Sequence, residues 1–166
     1  DVSVRRLLKG RVVVHDAQFD GLVLRLSEPQ VPPPEDDRPF TLDAPVDVVV
    51  RRLELRDAKI ERDGALLLDL RSALLSADWI GPELQLRQLD VLASDGEVHL
   101  AGRVREDGRY AGEANGRFRW QVGDRRFAGT LEARAEADGS TATVGLVEPM
   151  AATLVLTLDQ GGAWPW

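Results

Sequence analysis

An all-β fold of mostly antiparallel strands is predicted by three observations. From Arg11 onward, apolar and polar residues alternate along nearly every stretch. A period of two means an extended chain, because successive side chains then point to opposite faces. Five Asp-Gly dipeptides punctuate those stretches, and each is a hairpin signal because a tight two-residue turn needs positive φ, which Gly accepts. No segment after Arg11 carries a helical period.

The chain is organised around Leu84 to Val104, two alternating runs joined at Asp95-Gly96. Leu84 and Leu86 share one face with Gln85 and Arg87 opposite; Val98, Leu100 and Val104 share a face with Glu97, His99 and Arg103 opposite. That is a hairpin with one apolar and one charged side, and the other elements repeat it.

In order, Val2 and Val4 alternate, although RRLLKG at 5–10 could equally close as one helical turn stopped by Gly10. Arg11 to Phe19 reads as a strand that Asp20-Gly21 turns into Leu22–Leu26. Residues 28–45 hold six of the nine prolines and five acidic residues, a composition that cannot build a ladder and reads as an acidic loop. Val46, Val48 and Val50 then share a phase that Leu53 and Leu55 break, and Leu84 and Leu86 give way to Leu89 and Val91 in the same manner. Each slip sends later side chains to the wrong face unless a bulge absorbs it, and bulges bend a sheet. Curvature is therefore expected. Asp63-Gly64 leads to Leu66, Leu68 and Leu70, followed by Leu75, Ala77 and Trp79 on one face. Phe118, Trp120 and Val122 alternate with arginines, Phe127 and Leu131 with charges, and Leu154, Leu156 and Leu158 close the series.

Composition sets the class. At 166 residues the chain suits one domain with a substantial buried surface. It is 43% apolar and 30% charged, which fits neither disorder nor a membrane-embedded chain, and a formal net charge of -7 speaks against nucleic acid. No stretch approaches the ~20 apolar residues of a membrane helix, and no N-terminal apolar leader is present. The absence of cysteine excludes disulfides and thiolate sites. Because the pattern is already running at Asp1, without an initiating Met, we expect an excerpt of a longer protein.

Chemistry is thin. Glu97 and His99 lie two apart on one strand and could pair, but no third ligand recurs nearby, and a solvated outer face explains them more simply. There is no phosphate loop, no nucleophile elbow and no paired-histidine motif. Neither an enzyme nor a cofactor is expected. What remains is the apolar face, which water would not leave bare at ~1.5–3 kcal/mol for each large side chain. Periodicity alone leads to a sandwich or barrel core covered by the chain's own other half.

A resemblance reverses that last expectation. The order APVDVVVRRLELRDAKI, an Asp-Gly turn, LLLDL, SADW, ELQLRQLDV, a second Asp-Gly turn and GEVHLAGRV runs from 44 to 104, then continues through GRYAGEANGRFRWQV, FAGTL and VEPMAATLVLTLDQGGAWPW. It resembles the TamB family, the AsmA-like inner-membrane subunit of the translocation and assembly module of Gram-negative bacteria. The resemblance implies a periplasmic segment anchored to the inner membrane by a part outside this chain. It also implies a sheet rolled into an open trough, the β-taco, with an apolar interior. Glycerophospholipid acyl chains would lie against Val48, Val50, Leu53, Leu55, Leu66, Leu68, Leu84, Leu86, Val98, Leu100, Phe118, Trp120, Phe127, Leu131, Leu154 and Leu156. The alternative is a scaffold that assists the outer-membrane partner TamA in assembling outer-membrane proteins, its sheet edges pairing with client strands.

Overall fold

The computed structural model describes residues 10–26, 42, 46–107, 109–136 and 139–158. Eleven strands make one sheet: β1 (Arg11–Val14), β2 (Ala17–Asp20), β3 (Val23–Leu26), β4 (Asp47–Arg62), β5 (Ala65–Ile80), β6 (Glu83–Ala93), β7 (Gly96–Glu106), β8 (Tyr110–Val122), β9 (Arg125–Glu136), β10 (Gly139–Glu148) and β11 (Ala152–Leu158). From β4 to β11 each strand pairs antiparallel with the next, as a meander. β1, β2 and β3 lie along the far side of β4, so among the described residues the sheet runs from there to β11, and these two edges do not meet. The sheet is curved and open, as the resemblance implied, rather than the closed sandwich or barrel to which periodicity alone leads.

The N-terminal strands depart from the expected hairpin. Arg11–Phe19 was expected as one strand turned at Asp20-Gly21 into an antiparallel neighbour. Instead, β1, β2 and β3 follow one another in the same direction along β4, all parallel to it, with Arg11, Ala17 and Val23 opposite Asp47, Leu53 and Lys59. The offset is 36 residues at every rung. The breaks at 15–16 and 21–22 lie beside the places where β4 itself bends, at its Val50/Leu53 register shift and at Asp57 with its φ of 50°. Gly21, at φ 69°, carries the chain round such a bend rather than through a hairpin. A parallel pair also needs a long crossover, and β3 ends at Leu26 opposite Arg62, the last residue of β4, while β4 begins at Asp47. Of the loop expected at 28–45, only Leu42 is among the described residues.

The hairpins from β4 onward follow local chemistry. Asp63 and Gly64 both hold positive φ (51° and 82°) between Arg62 and Ala65, as a type I′ turn requires. Gly81 and Gly123 hold positive φ at the first position of the next two tight turns that start on glycine. Asp95-Gly96 is different, and corrects the reading of that dipeptide. Gly96 is already a strand residue opposite Trp120, and a Cβ there would stand 2.7 Å from the indole Cε3 and 2.3 Å from the Arg119 carbonyl oxygen. Its glycine makes room for a neighbour.

Both anticipated phase slips are register shifts, at Val50/Leu53 between β4 and β5 and at Leu86/Leu89 between β6 and β7. Further shifts occur at Ile60/Glu61, Leu70/Ser72 and Ser76/Ala77. Arg87 fills the gap left by two of them. Its guanidinium donates to the Asp78 carboxylate, to the Val50 carbonyl at 3.2 Å and to Ser76 Oγ at 3.1 Å. Burial is sparse: among the described residues only Val13, Leu42, Val49, Ala58, Leu70, Ala73, Ala93 and Gly129 are buried. One cluster, Ala58, Leu70 and Ala93 with Leu55, Leu68, Val91 and Trp120 packed on it, forms the main core.

Candidate functional site

Opposed residues on neighbouring strands share a face, so the register reads out the faces row by row. One row runs Leu89, Leu100, Gly116, Leu131, Val144, Leu154 from β6 to β11, and the next runs Val91, Val98, Phe118, Gly129, Leu146, Ala152. Towards the other end of the strands lie Leu86, Gly102, Ala114, Ala133, Ala142, Leu156 and then Leu84, Val104, Gly112, Ala135, Ser140. On the β4–β5 side the same face continues through Val48 with Trp79, Val50 with Ala77, Leu53 with Leu75, Leu55 with Ala73 and Ile60 with Leu68. Trp120 pairs with Phe127. These rows put fifteen of the sixteen expected contact residues on one continuous face.

Leu66 is the sixteenth. The shift at Ile60/Glu61 sets it opposite Glu61, out of line with Leu68, and leaves it 55% exposed. A perfect Leu-x-Leu-x-Leu alternation conceals that slip.

The two rows at the Leu84–Leu86 end are mostly glycine and alanine between leucines. Small side chains there leave a hollow of about 390 Å³ on the apolar face, lined by both rows from β6 to β10. Sequence reading scored large apolar residues and missed this feature. The signal was present in 112–116, GEANG, where small residues alternate with polar ones. Leu42 sits at the same end. It is buried, its N–H donates to the Glu106 carboxylate, and its carbonyl accepts the Trp79 indole N–H at 2.6 Å. Trp79 is paired with Leu84, which in turn opposes Val104.

The opposite face is knitted by ion pairs. Glu54 lies between Arg52 at 2.8 Å and Arg56 at 2.7 Å, and their hydrogen bonds hold its carboxyl down at about 2. His99 and Glu97, which could have paired with each other, each take another partner: His99 Nδ1 lies 2.7 Å from Asp90 Oδ1, and Arg119 donates to Glu97 at 2.9 Å. The His99 contact, with help from Gln88, lowers the Asp90 carboxyl below its ordinary range. Among the described residues no group of three His, Asp or Glu side chains is placed to hold a metal ion, and no helix is long and apolar enough to cross a membrane.

No family model, curated protein or solved structure matches this chain. Its own geometry is therefore the ground for a functional reading. The geometry offers an apolar face, open at both sheet edges, with many large side chains half exposed, and an outer face of alternating charge.

Proposed function

We propose that the apolar face is a track for glycerophospholipid acyl chains, within a TamB-like conduit between the inner and outer membranes of a Gram-negative envelope. One observation carries the reading: the apolar rows continue from β4 to β11 without a charged residue crossing them in the four rows from β6 onward. Uniform apolar walls suit a sliding chain, which gains from burial and asks for no fixed polar contact. The sheet's nine positions at ~4.8 Å spacing make a track of roughly 40 Å, enough for an acyl chain to lie across several strands. Headgroups stay in water at the open side. In this reading the segment is periplasmic, is anchored to the inner membrane through another part of the protein, and works with TamA.

Site-specific photo-crosslinking in cells tests it. Probes replace Leu86, Leu100 and Leu156 on the apolar face, with Arg87 and Arg103 as outward controls. Phospholipid adducts are expected at the three apolar positions and not at the controls. Protein adducts, or none, at the apolar positions would end the conduit reading in favour of the scaffold.

A further inference from the structure

The charged outer face holds a hollow of its own. On that face the row Asp90, His99, Arg117, Thr130, Gly145 crosses from β6 to β10, and beside it runs Glu97, Arg119, Ala128, Glu148. Long side chains on β7 and β8 thus give way to small ones on β9. The register shift between Leu146 and Glu148 leaves Val147 without an opposite residue, and its side chain is 67% exposed. Bulges re-aim side chains in this manner. Together these features leave a hollow of about 470 Å³, with Ala128 and Thr130 between His99, Arg117 and Arg119 on the β7–β8 side and Val147 on the β10 side.

Its charges are unevenly matched. Glu97 accepts from Arg119 Nη1 at 2.9 Å, and Asp90 Oδ1 lies 2.7 Å from His99 Nδ1, so both carboxylates on that side are engaged. Arg117 stands opposite His99 and Thr130 rather than a carboxylate, and among the described residues it makes no ion pair. Its charge reaches Asp90 only across His99. Arg119 meets Glu97 through one guanidinium nitrogen and keeps other N–H donors for a ligand.

The two arginines lie two residues apart on β8, so they share a face with their Cα atoms roughly 7 Å apart. Thr130 brings a hydroxyl from the next strand. That donor set suits a tetrahedral oxyanion better than a carboxylate. One guanidinium fork satisfies a carboxylate, whereas a phosphate has oxygens for two forks and a hydroxyl. We propose that this hollow binds a phosphate group, held by Arg117, Arg119 and Thr130. The site lies on the face opposite the apolar track and stands independently of the lipid reading. The phosphate could belong to a soluble compound or to a lipid headgroup, since the donors recognise the group they share.

Two measurements on the chain as it stands test the proposal: calorimetric titration with inorganic phosphate, and flotation with phosphatidylcholine vesicles that contain phosphatidic acid. The wild type is expected to bind in at least one. Saturable heat with inorganic phosphate supports the site and points to a soluble source; flotation without heat supports it and points to a headgroup. Arg117→Gln is expected to weaken whichever binding is seen by about tenfold or more, the loss of a charge-assisted hydrogen bond. Ala128→Leu fills the hollow, leaves both guanidiniums in place and is expected to do the same. Both variants are checked for an unchanged far-ultraviolet strand spectrum. Arg103→Gln, on the same face but outside this hollow and paired with Glu113, is expected to bind as the wild type does. A wild type that shows neither heat nor flotation would overturn the proposal. So would a folded Arg117→Gln that binds normally, a folded Ala128→Leu that binds normally, or an Arg103→Gln that loses as much as Arg117→Gln.

Discussion

Glu54 shows how single side chains hold a sheet that buries little. Its carboxylate sits between Arg52 and Arg56 on the outer face of β4, beside the bulge, and is held at about 2 against an ordinary value near 4.5. A lowered carboxyl stabilises the folded chain fully above its ordinary value, and that contribution fades as pH falls toward 2. Acid titration followed by tryptophan fluorescence should therefore show stability declining from about pH 4.5 to pH 2, and Glu54→Gln should flatten that decline while lowering stability at neutral pH. Arg87 works the same way on the backbone, since its guanidinium serves the Val50 carbonyl beside the register shift. The sequence marked Arg87 only as an outward residue and did not single out Glu54, because the Glu54 partners lie two residues away on the bent β4 and the Val50 carbonyl lies 37 positions from Arg87 along the chain. His99 was legible as a candidate, but its partner Asp90 was not, since that contact depends on which residue of β6 the hairpin sets opposite it.

At the scale of elements, glycines matter as much as leucines. Gly102, Gly112, Gly116 and Gly129 all lie on the apolar face of β7, β8 and β9, and a Cβ on any of them would come within 2.6 Å of a neighbouring strand's carbonyl oxygen. Glycine in a strand marks such close approach of backbones. Gly112 is the clearest case, with 2.2 Å to the Arg103 oxygen and 2.8 Å to the Val104 Cα. Gly112→Val should destabilise the chain by about 1–3 kcal/mol, because backbone rather than a flexible side chain must move. Gly123→Asn, at a turn with φ 58° and open space around it, should cost well under half as much, since Asn tolerates that conformation. Urea midpoints of the two variants provide the comparison. The hairpin at Asp63-Gly64 was readable because its turn is chosen by two local residues. The parallel run of β1, β2 and β3 was not, because Asp20-Gly21 has the local chemistry of a hairpin while β4, more than thirty residues on, decides its path.

For the whole molecule, an open sheet with few buried side chains separates folding from function in a useful way. Leu86 is half exposed at the lip of the hollow, so Leu86→Glu should lower stability by only about 1–2 kcal/mol, where a buried leucine would cost more. If the apolar face is a lipid track, that variant should keep its strand spectrum yet lose phospholipid adducts at the neighbouring Leu100 probe. Retained adducts would instead argue against a continuous track. The sequence by itself determined the strand content, the tight turns, the two anticipated bulges and the alternation that puts leucine and valine on one side, because all of these depend on neighbours within a few residues. Tertiary structure alone decided that the sheet stays open, that β1–β3 run parallel to β4, that Leu66 leaves the apolar row, and that glycines and alanines align into a hollow. The reason is physical. Alternation states which face a residue takes, but only pairing across strands, with its bulges, states which residues stand side by side and whether the two edges meet.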